Sequence, residues 1–171
     1  MQNTNTIQFY HVGFELGQPY RYEECGLDNV ILLSGYEHQV IDDETYTSIH
    51  DVNDLHERIL ESLALKKELL SAKEIRFIRR EMNLTQVALG NLIGSSGQAV
   101  GRWEKLGEKP TNIPLPNDLL LKIIIQDHVK GIRPFELLKG LSEIDAGSVL
   151  NSHQSTNDND DDWKIGIAKA A

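Results

Sequence analysis

Gln98 and Arg102 stand four residues apart in the run SSGQAVGRWEK, so a helix would stack them one turn apart on a single face. A glutamine amide pairs bidentately with the edge of adenine, and a guanidinium with that of guanine. Each such pair discriminates by roughly 1–3 kcal/mol. Gly97 and Gly101 share the outward face in this reading, and Lys105 closes the stretch. Upstream, Thr85 and Gln86 open LTQVALGNL, where the threonine oxygen can cap the amides of Val87 or Ala88. These residue types suit contact with double-stranded DNA, side chains toward bases and helix-start amides toward phosphates.

Other chemistry finds little support. The chain holds six histidines and one cysteine, Cys25. A single thiol excludes an internal disulfide and any Cys-rich zinc site. His50 and His56 fall at no compact ligand spacing, and Cys25 lacks an evident activating base. No phosphate-binding glycine loop or nucleophile triad is present. We therefore expect no catalytic residues, no metal and no cofactor, and read the chain as a non-enzyme.

The net charge of −9 argues at first against nucleic acid. Its distribution reverses that. Residues 1–70 carry 13 acidic and 4 basic groups, residues 111–171 carry 9 and 6, but residues 71–110 carry 4 and 7, a net +3. Screening limits electrostatic reach to about 10 Å, so the local excess dominates at the surface it covers. The acidic remainder weakens non-specific binding. No run of 18 apolar residues exists, and MQNTNTIQ lacks the basic start and apolar middle of a signal peptide. A cytoplasmic protein without membrane contact is the expectation.

Three short helices must position the reading face. Ser71 and Glu74 form a capping-box pattern ahead of Ile75, Ile78 and Met82, with Arg76, Arg79 and Arg80 off that face. Asn83 marks a turn. Leu89, Leu92 and Ile93 supply a second core face, and Gly94 stands where the chain turns sharply. Ser95 or Ser96 caps the third helix, with Val100 and Trp103 pointing inward.

From Leu84 to Glu104 the chain resembles, without gaps, the Xre-type helix-turn-helix of Cro and phage repressors. Leu84, Thr85, Gln86, Gly94, Val100, Arg102, Trp103 and Glu104 carry the likeness. The resemblance implies that Gln86 touches a phosphate and that Gln98 and Arg102 read bases, with Ser96 and Ala99 alongside. It also implies that Arg79 pairs with Glu104 to lock the first helix to the third. Gly90 replaces the usual Ala, a change that in a helix interior costs about 1 kcal/mol. Gly97 and Gly101 replace frequent base readers, leaving specificity to Gln98, Arg102, backbone amides and DNA shape. More loosely, residues 20–128 resemble MqsA-type antitoxins. Those carry zinc-binding cysteine pairs that this chain lacks, so zinc is not expected.

Around this unit, Ile7–Phe14, Tyr20–Tyr22, Val30–Leu33, Glu37–Ile41 and Thr45–His50 read as strands, making a small antiparallel sheet of three or four. Asp51 or Asn53 caps a helix running to about Leu70. Pro116 suits the first turn of a later, strongly apolar helix through Leu119–Ile125, which we expect to pair two copies as a homodimer. Phe135–Leu141 reads as a short helix. From Gly147 the chain turns polar and acidic, with Asp158–Asp162 as a solubilising cluster, and we expect mobility.

The fold class is thus α+β: an N-terminal antiparallel β region plus a helix (residues 1–70), an all-α helix-turn-helix bundle of about five helices (71–130), and a short helix with an acidic tail (131–171). The expected function is a dimeric transcriptional repressor. The alternative is an antitoxin that neutralises a protein toxin and autoregulates its operon.

Overall fold

Alternation of inward residues sets the first strands. Phe9 and His11 of Ile7–His11 (β1), and Val30 and Leu32 of Val30–Leu32 (β3), are buried while their neighbours are partly open. In the computed structural model, which describes residues 6–105, 111–130 and 163–166 (backbone only for Lys130 and Gly166), β1 and β3 pair in parallel. Ile7 lies opposite Val30 and Phe9 opposite Leu32. Tyr20–Arg21 (β2) joins β3 antiparallel. The sheet is therefore mixed, which corrects the antiparallel expectation. A parallel pair needs a crossover of a dozen or more residues, and residues 12–29 supply it. Strand periodicity carries no information on direction.

A second sheet is a lone hairpin, Tyr36–Ile41 (β4) and Glu44–Ile49 (β5). Its loop is Asp42-Asp43, both at positive φ (52° and 65°), as the two-residue turn that matches strand twist requires. Val40, Ile41 and Tyr46 stand exposed on it.

Five helices are described. Val52–Ala64 (α1) is capped by Asp51, whose side chain accepts from the Asp54 amide. Its buried stripe is Leu55, Ile59, Leu60, Leu63 and Ala64. The helix stops at Ala64, short of Leu70, because Leu70 is held from elsewhere. Its N–H donates to Asp118 (2.9 Å) and its carbonyl accepts from the Thr111 hydroxyl (2.5 Å). Ala72–Glu81 (α2), Gln86–Leu92 (α3) and Gly97–Trp103 (α4) follow, then Leu115–Lys130 (α5), with Pro116 in its first turn. α5 buries Leu121, Ile124 and Ile125 but leaves Leu115, Leu119, Leu120 and Ile123 open. One apolar cluster runs from Phe9 to Trp163 and crosses the 70/71 boundary drawn from sequence.

The last strand was not foreseen. Trp163–Gly166 (β6) pairs antiparallel with β1, closing the order β2-β3-β1-β6. Trp163 is fully buried. The polar composition around it hid a single large anchor residue. The expected helix over Phe135–Leu141 and the Asp158–Asp162 cluster lie outside the described residues. No described helix is long and apolar enough to cross a membrane.

Candidate nucleic-acid interface

Each of the three short helices starts on a side-chain cap. Ser71 accepts from the Glu74 amide while the Glu74 carboxylate accepts from the Ser71 amide, a complete capping box. Thr85 accepts from Ala88, and Ser96 from Ala99, both at 3.1 Å. The turns are equally local. Asn83 (φ 54°) separates α2 from α3, and Gly94 (φ 67°) separates α3 from α4. Ile75, Ile78, Leu89, Ile93, Val100 and Trp103 are buried, as is Phe77, whose ring meets His56 of α1 edge-on. Leu92, expected in that core, is half exposed, because the helix that would carry its face inward ends there.

α3 and α4 touch through glycines. A Cβ on Gly90 would lie 2.8–3.0 Å from the Ser95–Gly97 backbone. One on Gly97 would lie 2.8 Å from Cγ2 of Val87, and one on Gly101 3.1 Å from Oε1 of Gln86. Gly97 and Gly101 therefore face α3, not outward as their spacing suggested. They let α4 approach closely, and Gly90 seats the turn.

The charged lock is bidentate. Arg79 reaches Glu104 through Nε–Oε1 (2.5 Å) and Nη2–Oε2 (3.1 Å), and its Nη1 donates to the Leu84 carbonyl (3.0 Å). Gln86 donates from Nε2 to Glu104 Oε2 (2.8 Å). Burial alone would raise the Glu104 pKa, but hydrogen bonds from Arg79 and Gln86 outweigh it and hold the carboxyl below its usual range. One residue of α5 also reaches this unit, where the Asn117 amide caps the end of α3 at Ile93 (2.6 Å).

The residues singled out from sequence then separate into two groups. Thr85, Ser96, Gln98, Arg102 and Lys105 are exposed, and Gly97 is partly open. Ala99 is buried beside Val100. Gln86, Gln98, Arg102 and Lys105 line an open groove of about 800 Å³ between α3 and α4. Val87 and Asn91, one turn apart on α3, line it too and were missed. Their apolar-polar pairing gave no chemical signal; only the packing of α4 puts them at the rim. The groove's ionised side chains are both cationic, and Arg76 and Arg80 are exposed on α2.

One further polar cluster lies away from the groove. The Tyr22 hydroxyl is 2.9 Å from His56 Nε2, and His56 Nδ1 is 3.0 Å from Glu81 Oε2. Cys25 Sγ donates to the Tyr22 carbonyl (3.3 Å). Burial pushes the Cys25 thiol up to about 11 and raises the Tyr22 phenol as well, so both stay protonated at neutral pH. A protonated thiol is a poor nucleophile. The cluster ties the β region to α1 and α2. Among the described residues no group of three or more His, Cys, Asp or Glu side chains could hold a metal. No family model, characterised protein or solved structure matches this chain.

Proposed function

We propose that the chain is a sequence-specific, double-stranded-DNA-binding transcriptional regulator, acting as a dimeric repressor through an Xre-type helix-turn-helix formed by α2, α3 and α4. The observation that carries this reading is the division of labour at α4. Glu104, Gln86 and Arg79 are spent on a buried lock, while Gln98, Arg102 and Lys105 are left exposed along one cationic groove. Gln98 reads adenine, Arg102 reads guanine, and Lys105, Thr85 and Ser96 contact the backbone.

Two copies would bind half-sites about one DNA turn apart, roughly 34 Å, and exclude polymerase. Leu115, Leu119, Leu120 and Ile123 on the open face of α5 support self-association. The setting is the reducing cytoplasm, where a lone protonated thiol is stable.

DNA selected from a random pool tests the reading. Gel shifts should show specific binding that weakens steeply with salt, because phosphates are neutralised. Changing Gln98→Ala and Arg102→Ala together should flatten sequence preference while the melting temperature holds, since both side chains are exposed. Equal binding to every sequence by the unaltered protein refutes the specificity claim.

A second reading as an antitoxin is favoured by Val40, Ile41 and Tyr46, exposed on the β4–β5 hairpin. Co-purification of a neighbouring gene's product, abolished by Tyr46→Asp, would support it.

A further inference from the structure

β6 is four residues long, yet it meets a fully built receptor. The indole of Trp163 is completely buried. Its Nε1 donates to the His50 carbonyl, and its main-chain N–H donates to Asp54 Oδ2, both at 3.0 Å. The His11 ring meets it edge-on at 5.3 Å and 81°. Gly35 forms the floor. It sits at φ +76°, and a Cβ there would fall 2.7 Å from both Trp163 Cη2 and His11 Cβ. Any other residue at 35 would fill the indole slot. All these groups come from residues 11–54, and the ladder is provided by Gln8–His11 of β1.

The second inward position of the strand, two residues on, is Ile165. It borders a shallow recess of about 220 Å³ together with Glu61 of α1, Leu65 just beyond that helix, and Gln126 and Val129 of α5. Lys164 points to the other face, as strand alternation demands. The receptor thus takes an indole at one position and leaves the side chain two residues on half exposed at the edge of a mixed apolar and polar recess.

We propose that the β1 edge with its indole slot is a strand-docking site for an extended, tryptophan-bearing protein segment, and that the chain's own Trp163–Gly166 is its resident, releasable occupant. The backbone pairs along all four residues, but side-chain anchoring is concentrated at the first. Trp163 is buried, whereas Lys164 is half-buried and Ile165 is 45% exposed. Binding through edge-strand hydrogen bonds plus pockets for alternate side chains is a general mode of peptide recognition. Residues 131–162 join the occupant to α5 in one chain, so it competes for the slot intramolecularly. A partner strand in trans must outcompete that. Because the strand lies on α1 and its recess is shared with α5, exchange would be felt at the helices that flank the DNA-binding unit.

The test uses the full chain carrying Trp163→Ala and a fluorescent peptide of residues 160–168, DDDWKIGIA. Anisotropy should show saturable binding about tenfold tighter than to the unaltered chain, whose own strand competes intramolecularly. The same peptide with alanine for tryptophan should not bind. A second measurement needs no change in the slot. A protease site is placed between residues 147 and 157, the chain is cut, and the tail fragment should leave on dilution and be displaced by excess peptide. A cut fragment that survives both, or a peptide that binds neither protein, overturns the proposal. So does a tail found seated on a second copy, by mass measurement of cut and uncut mixtures.

Discussion

Arg79→Met places the heaviest load on the proposed frame of the DNA-binding unit. The Glu104 side chain is 1% exposed and that of Arg79 17%, so the pair sits well inside the protein. Removing the guanidinium leaves a buried carboxylate held only by the Gln86 amide, and strands the Leu84 carbonyl. Breaking a buried pair from one side costs about 3–5 kcal/mol. In a chain of this size each kcal/mol moves the melting temperature by roughly 2–4 °C, so a fall of about 6–20 °C is expected. Glu104→Gln should fall similarly, but Arg79→Met with Glu104→Gln should cost less than the sum, because no charge is then buried alone.

Acid adds a check on the same pair. The folded carboxyl titrates below its unfolded value, so its stabilisation is present above about pH 4.3 and is lost as pH falls through the depressed folded value. The gap between the unaltered protein and Arg79→Met should therefore narrow in acid. Circular-dichroism melts across pH read all of this. A single variant melting within about 2 °C of the unaltered protein at pH 7, or strictly additive effects, would refute the reasoning.

Four other outcomes follow from packing and burial. Gly90→Ala should lower the melting temperature even though alanine favours helices by about 1 kcal/mol, because its Cβ meets backbone at 2.8 Å and overpacking costs about 1–3 kcal/mol. Gly101→Ala puts its Cβ 3.1 Å from Oε1 of Gln86, which is held by Glu104, and should lower the melting temperature in the same melts, but by less than Gly90→Ala, because it meets a side chain and not backbone. Cys25, raised to about 11 by burial, should resist iodoacetamide at pH 8 and react as pH approaches 11 or on unfolding, read by mass spectrometry; rapid labelling at pH 8 would contradict its environment. Asp118→Ala removes the acceptor of the Leu70 amide and the partner of buried Lys122 (2.8 Å), and should lower the urea midpoint by the equivalent of about 3–5 kcal/mol, with Asp118→Asn losing less.

The helical unit was largely legible because its determinants are local. Ser71 with Glu74, Thr85, Ser96, Asn83 and Gly94 each act within four residues of themselves, so their types and order place three helices and two turns before any packing is known. The meeting of Arg79 with Glu104, 25 residues apart, was reached only through the family likeness and not through spacing. Leu92 was misplaced because a seven-residue helix offers too few positions to set its inward face from periodicity alone, and the burial of Ala99, singled out only through the family likeness, was not foreseen.

By itself, then, the sequence determined the local layer: caps, turns, the basic island at residues 71–110, and the exposed pair Gln98 and Arg102. Tertiary structure decided what depends on distant partners. It turned Gly97 and Gly101 from absent readers into the contact that lets α4 lie against α3. It ended α1 at Ala64 by giving Leu70 to Asp118 and Thr111, 48 and 41 residues away. It ran β1 and β3 parallel, and it brought Trp163 back across the chain to His50 and Asp54. Hydrogen bonds within a turn are written in neighbouring letters; the close approach of two backbones and the slot for an indole exist only once the chain has folded.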